Sequence, residues 1–314
     1  MVKKRPRIDL KKIKTIPLNI RKCKVSIDDF AKTAKKGEAF RSFYDSLPKI
    51  LAAQDLRSLA DSIAAAHKNG RMVILMMGAH VIKCGLSPLI IDLMKKGVIK
   101  AVALNGAGII HDTEIAMIGR TSEDVGEGIL NGSFGMAAET ADFINEAINR
   151  GLSKGLGIGE ALGANIVKSK LPHRAMSILA SGFELDIPVT AHVAIGTDII
   201  HQHPSANCEA IGEGSLLDFR NFIYSVSQLE GGVAVNFGSA VILPEVFLKA
   251  LTVARNLDYK VKVFTTANFD MISQYRPRQN ILSRPTSMGG RAYNIIGHHE
   301  LMMPLLYRAI IEKI

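Results

Sequence analysis

At 314 residues, with 47% hydrophobic residues and a mean hydropathy of +0.17, the chain can bury one large core, which argues for one globular domain or at most two. No apolar run reaches the roughly 18 residues of a membrane span without a charge or a glycine, and the opening residues hold no apolar h-region. Neither a span nor a secretory signal is expected, and the compartment read from the sequence is the cytoplasm. The net charge of +10 comes from residues 1–36, which hold 13 Lys+Arg and 3 Asp+Glu; beyond them the chain holds 26 of each.

Residues 1–40 therefore read as a basic arm on a neutral body, residues 41–314. The arm carries no aromatic side chain before Phe30 to stack on a base and matches no nucleic-acid motif, so a solvated or subunit-crossing segment is expected rather than a nucleic-acid surface. Asp9, Asp28 and Asp29 interrupt the basic run and argue against a transit peptide. Cys23, Cys84 and Cys208 are odd in number and irregular in spacing, which fits neither a disulfide framework nor a four-thiolate zinc site.

In the body, "DLRSLADSIAAAHKNG" has helical apolar spacing and closes at Gly70, and "RMVILMMG" follows as a continuous apolar strand. "SPLIIDLMKKG" is a helix with Ser87 as N-cap, Pro88 at its first position and Gly97 at its stop, leading into the strand "VIKAVALNG". In "TSEDVGEGILNGSFGMAAETADFINEAINRG", Thr121 and Asp124 form a capping box for a long helix ending at Gly151, and residues 152–182 continue as helix. "IPVTAHVAIG", "GVAVNFGSAV", "YKVKVFTTANFD" and "RAYNII" are further strands, separated or followed by the helices "SLLDFRNFIYSVSQLEGG", "PEVFLKALTVARNLD" and "HELMMPLLYRAIIEKI". Continuous apolar strands alternating with helices predict a doubly wound α/β fold, Rossmann-like, with a mostly parallel six- or seven-stranded sheet and helices on both faces. Such sheets bind ligands beyond the carboxyl ends of their strands.

Seven of the nine histidines fall at those predicted ends: His80, His111, His192, His201, His203, His298 and His299. "MGAHVIKCG" and "NGAGIIHD" have the small-residue turns that let a backbone approach a phosphate while the next helix points its N-terminus at the anion. Neither completes the dinucleotide fingerprint. His201 and His203, one residue apart on an extended segment, offer a second possibility: with His111, Asp112 or Asp198 they could share a divalent metal.

The order of these motifs resembles the deoxyhypusine synthase family. "KKGVIKAVALNGAGIIHDTEIAMIG" is similar to the family's strand, glycine turn and acidic helix start, "FELDIPVTAHVAIGTDIIHQHP" to its Ile-Pro-Val strand ending in aspartates, and "GGVAVNFGSAV" to its glycine-rich strand end. "VFTTANFD" and "IIGHHELMMPLL" resemble its closing stretches, so the likeness runs from about residue 70 to the C-terminus. The resemblance implies a bound NAD, a small-molecule substrate and a homotetramer with sites at subunit interfaces. It places Asn105, Gly106, Ala107, Gly108, Asp112, Gly238, Ser239, Thr266, Ala267, Asp270 and His298 on the cofactor, and Asp198 on a substrate amine.

The chain also departs from that family. Where the family holds its substrate on an imine-forming lysine, "SQYRPRQNILSRPTSMGGRAY" has arginines and no lysine, and arginine cannot form an imine near neutral pH. There is no tryptophan, and His111 stands where relatives carry an acid. The expectation is therefore NAD-dependent oxidation or transfer on a small amine or alcohol, not deoxyhypusine synthesis. His111 and His201 are the candidate general bases, Asp198 pairs with a cationic substrate, and Arg276, Arg278, Arg284 and Arg291 are placed to hold an anion. The alternatives are a metal-dependent hydrolase or lyase on His111, Asp112, His201 and His203, and a non-catalytic ligand-binding protein on the same fold.

Overall fold

The computed structural model describes residues 6–314. Residues 1–5, the first part of the predicted arm, lie outside the described residues. Residues 6–39 form three short 3-10 turns and contain no buried residue. The body then alternates as its apolar runs dictate. In chain order it comprises α1 (Phe40–Ser46), α2 (Leu51–Lys68), β1 (Val73–Met77), α3 (His80–Lys83), α4 (Ser87–Lys95), β2 (Ala101–Asn105), α5 (Gly106–Ile118), α6 (Val125–Asn131) and α7 (Ala138–Leu152). It continues through α8 (Ile158–Lys168), α9 (Ile178–Glu184), β3 (Val189–His192), α10 (Cys208–Ser227), β4 (Val233–Phe237), α11 (Ile242–Asn256), β5 (Thr265–Asp270), α12 (Tyr275–Pro277), β6 (Arg291–Ile296) and α13 (His299–Ile311). A π-helical turn, Arg278–Ser283, extends α12.

The six strands form one all-parallel sheet in the order β3-β2-β1-β4-β5-β6. The doubly wound α/β reading holds, with helices on both faces. Leu75, Met77, Val102, Leu104, Val235, Phe237 and Phe269 point to a core shared with α2, α4, α5, α9 and α13; Ile74, Met76, Ala103 and Ala234 point to one shared with α10 and α11. This two-sided burial is why the central strands read as apolar runs without alternation. Phe237 and Phe269 stack across β4 and β5, with ring centroids 4.2 Å apart. No helix among the described residues is long and apolar enough to cross a membrane.

Two sequence readings of local structure are corrected. The long helix expected up to Gly151 is two helices, because Gly132 ends α6 in the left-handed region (φ 77°) and Gly135 follows with φ 77° against Ile199 and Gln202. The "YKVKVF" stretch precedes its strand instead of forming it. The Lys262 and Val263 N–H groups there donate to Glu230 Oε2, and regular pairing begins only at Thr265.

Two buried carboxylates hold helix starts against the sheet. Asp112 on α5 accepts from Ser177 Oγ (2.5 Å) and from the N–H groups of Ile178 (2.8 Å) and Leu179 (3.2 Å), tying α5 to the first turn of α9. Asp218 on α10 accepts from Gly159 N–H on α8 (2.9 Å) and Ala191 N–H on β3 (2.8 Å). A Cβ on Gly157 would lie 2.0 Å from Asp218 Oδ1, so the carboxylate fills the space a side chain would need. Burial outweighs these hydrogen bonds, pushing Asp112 up to about 6 and Asp218 up to about 7. Asp218→Ala would leave the Gly159 and Ala191 N–H groups unpaired, and the expected cost is about 2–4 kcal/mol in urea denaturation at unchanged m-value. A loss under about 1 kcal/mol would show that water replaces the carboxylate.

Candidate functional site

The strand order places the topological switch point between β1 and β4. There the Gly78 N–H donates to Phe237 O (2.9 Å), and a Cβ on Gly78 would lie 2.7 Å from Gly238 O, so the two strand ends approach as only glycine permits. Gly238 has φ +67°, and His299 covers it, with Nε2 2.3 Å from where its Cβ would stand. Ser239 Oγ accepts the Leu243 N–H (3.2 Å) at the start of α11. His299 is buried, its ring lies 5.9 Å from that of His80, and its Nδ1 has no partner. Burial lowers the His299 pKa, Asp270 opposes this, and the net shift is downward, which favours a neutral imidazole.

One strand over, the loop after β3 meets the start of α5. Asn105 caps α5 by accepting the Gly108 N–H (3.0 Å), and a Cβ on Gly106 would fall 1.8 Å from Asp198 Oδ2. The Asp198 carboxylate therefore sits where the sequence placed a phosphate, over Gly106 at the positive end of α5. A phosphate brought to the same seat would meet a carboxylate. Asp198 Oδ2 is buried without a hydrogen-bond partner, and burial, opposed by a backbone hydrogen bond at Ala194, pushes its carboxyl up to about 6.

Asp198 and His111 line one cavity of about 200 Å3, together with Lys83, Ala107, Ile110, Glu114, Glu123 and Phe134. That is less than the roughly 300–1,000 Å3 of sites for drug-sized ligands, and it suits a single small metabolite. His111 Nδ1 lies 2.6 Å from Thr121 Oγ1, and the Thr121 hydroxyl donates to Glu114 Oε2. With its one hydrogen given to Glu114, Thr121 can only accept from His111, so Nδ1 carries the proton and Nε2 is left as the basic nitrogen. Thr140 donates to Glu114 Oε1 (3.1 Å). Burial raises the Glu114 pKa, but the neighbouring His111 and the hydrogen bonds from Thr121 and Thr140 outweigh it and hold the carboxylate ionised.

Other residues singled out in the sequence lie elsewhere. Asp112, predicted on the cofactor, is fully buried beneath α9, because it falls nearly two turns into α5. Thr266 and Ala267 are buried within β5, short of its carboxyl end, since the strand starts later than expected. His298 is exposed, and its neighbour His299 occupies the crevice. His201 accepts the Gly196 N–H on Nδ1 (3.2 Å) within its own loop, outside the cavity, and burial lowers its pKa. His203 turns to Ser205 (2.9 Å) and Asp142 (3.5 Å).

The predicted metal set is thus dispersed. Among the described residues no group of three or more His, Cys, Asp or Glu side chains is placed to hold an ion. His192 is buried against Phe222 and Thr190 and pushed down to about 3. Of the arginines proposed for an anion, Arg276 pairs with Glu245 and Arg284 donates to Asn280 Oδ1 (2.7 Å), while Arg278 and Arg291 are exposed. The sequence reading missed Lys83 and Thr121 as site residues. His299 stood among the seven histidines expected at strand ends, though the cofactor role was given to its neighbour His298.

No protein-family model matches the chain, and no curated protein matches it. Among solved structures it is similar to a conserved LOR/SDH candidate from Methanococcus maripaludis S2, at 14% identity and TM-score 0.53 over 84% of this chain and 71% of that one. It is similar to AgrE in its ternary complex with ornithine and NAD+, at 15% identity and TM-score 0.55 over 82% of this chain but 32% of AgrE, so it spans about a third of that protein. A candidate deoxyhypusine synthase from Entamoeba histolytica matches at 10% identity and TM-score 0.54, over 90% of this chain and 96% of that one. At these identities the shared property is the fold, one common to deoxyhypusine synthase-like and LOR/SDH-like proteins.

The relay predicts that Thr121→Val removes the acceptor of the His111 Nδ1 proton and one donor to Glu114. In NMR titrations the Glu114 carboxyl should move upward and the His111 Nδ1–H signal should be lost. An unchanged Glu114 titration would show that Thr121 does not join the pair.

Proposed function

We propose that the protein is an enzyme that binds a nicotinamide dinucleotide at the β1–β4 crevice and oxidises, or transfers a group from, a small amine held in the neighbouring cavity. The observation that carries this reading is the buried, unpartnered carboxylate of Asp198 in the same cavity as a histidine whose basic nitrogen is fixed by hydrogen bonding. A desolvated carboxylate without a partner is stabilised by a cationic ligand, and an ammonium supplies both the charge and the hydrogen bonds.

The crevice fits a dinucleotide phosphate better than the Gly106–Gly108 turn does. Gly238 has a left-handed backbone at a strand end, a 15-residue helix starts just beyond it, and the buried His299, whose Nδ1 is unpaired, turns its Nε2 side to it. Gly78, Gly238, Ser239 and His299 would hold the group. When bound, it supplies a two-electron hydride acceptor. Asp198 anchors the substrate ammonium, and His111 Nε2 takes the proton released from the substrate. Thr121 and Glu114 hold the imidazole in the required tautomer and stabilise its charged form. The four-residue helix α3, about 6 Å long, runs from His80 at the crevice to Lys83 at the cavity.

The fold shared with AgrE, whose structure carries ornithine and NAD+, supports this reading. A homotetramer with interfacial sites belongs to the same proposal. Val125, which lines the cavity, is an exposed apolar residue, as are Ile129 and Leu130 on the same helix α6, and such a surface supports a covering subunit.

The test is titration with NADH, followed by amine-dependent reduction of NAD+. His111→Gln should retain dinucleotide binding and lower turnover by roughly 100-fold or more, and Asp198→Asn should chiefly raise the KM for the amine. A purified protein that binds no dinucleotide at millimolar concentration would remove the cofactor from the proposal.

A further inference from the structure

The charged groups of the cavity differ in whether the protein already satisfies them. Glu114 accepts from Thr121 and Thr140. Glu123 accepts the Gly135 N–H on both oxygens, at 3.0 and 3.2 Å. Asp198 Oδ2 is buried and unpartnered. Lys83 is the one lysine or arginine among the lining residues; it is exposed, and its side chain takes part in no hydrogen bond or ion pair among the described residues. A carboxylate with one unpartnered oxygen and a lysine without an ion pair therefore line the same small space.

From this we infer that the cavity takes a zwitterionic ligand, a small amino acid whose ammonium pairs with Asp198 and whose carboxylate pairs with Lys83. The inference rests on the reading of this cavity as the substrate site and adds the substrate class. A simple diamine satisfies Asp198 but brings a second cation towards Lys83. An amino acid of similar length satisfies both groups. The roughly 200 Å3 available matches a single molecule of that size. Lys83 stands on α3 between the crevice and the cavity, so the same short helix fixes the carboxylate end of the ligand relative to the proposed dinucleotide seat. Lys83 is thus a specificity residue that no familiar motif marks, and its role is distinct from that of an imine-forming lysine.

The experiment compares two ligand pairs that differ only by the carboxylate, L-ornithine with putrescine and L-lysine with cadaverine. Each is titrated by calorimetry into the full-length protein at neutral pH without dinucleotide. At least one amino acid should bind roughly tenfold or more tightly than its decarboxylated partner, the increment expected for one charge-assisted pair. Lys83→Met should remove that preference while leaving diamine affinity equal or improved, and Lys83→Arg should retain it. Lys83 is exposed, so an unchanged melting temperature is expected for both variants. Diamines binding as well as the amino acids, equal weakening of both classes in Lys83→Met, or no binding by either pair would each overturn the inference. NADH titration of the same preparations separates the two proposals: loss of dinucleotide binding with an intact amino-acid preference would overturn only the cofactor reading, and the converse only this one.

Discussion

The parallel pairing of β1 with both β2 and β4 is the constraint on which the rest of the molecule depends. Crossovers carry the first half of the chain outward from β1 through β2 to β3; the second half starts again on the other side of β1 and runs through β4, β5 and β6. Connections therefore diverge at the β1–β4 boundary, the place where sheets of this winding bind ligands. Backbone pairing continues one residue past both strands, where the Gly78 N–H reaches Phe237 O and any side chain at position 78 would strike Gly238. The crevice and the adjacent cavity are both consequences of this winding, since α3 leaves β1 towards α5 and the β3 loop returns over it.

Within that frame, one carboxylate decides what the edge of the sheet can hold. A glycine followed by a helix N-terminus is an anion seat, and Gly106 with α5 has that form. Asp198 occupies it with the protein's own anion, and since its Oδ2, buried against Gly106, has no partner, the local need changes from a phosphate to a cation. The neighbouring His111–Thr121–Glu114 relay adds a base of defined tautomer. Two neighbouring features result: the β1–β4 strand ends, with their glycines, a helix start and an imidazole, and a cavity lined by a carboxylate with one unpartnered oxygen and by a lysine.

Fold class was legible in the sequence because burial on both faces imposes continuous apolar runs, and all six strands of the sheet were placed in chain order. Errors arose where tertiary contacts overrode local pattern. Lys260 and Lys262 alternate with apolar residues in "YKVKVF" as a strand would, yet their segment is held by Glu230, and regular pairing starts at Thr265. The site was only partly legible. His111 and Asp198 follow strands β2 and β3 and meet as neighbours, whereas Asp112, one residue along the same helix, points to α9 because successive helical positions are turned by about 100°. His201 and His203 looked like a metal pair, but the 3-10 turn that carries them turns one to Gly196 and the other to Asp142. Lys83 and Thr121 could not be read from local pattern at all, since they become site residues only when α3 and the loop after α5 fold over the cavity.

The central claim is that Asp198 is a desolvated carboxylate waiting for a cation, and its own titration tests this most directly. Carbon-13 NMR of the Asp198 side-chain carboxyl, with Asp198→Asn for assignment, should give a pKa of about 6 in the free protein, above the ordinary aspartate value because burial disfavours the charged form. A saturating amine should draw it down by a unit or more, since the bound ammonium favours the carboxylate and, by linkage, amine affinity rises with pH through that window. A pKa near the unperturbed value of roughly 4, unmoved by amines, would contradict the account.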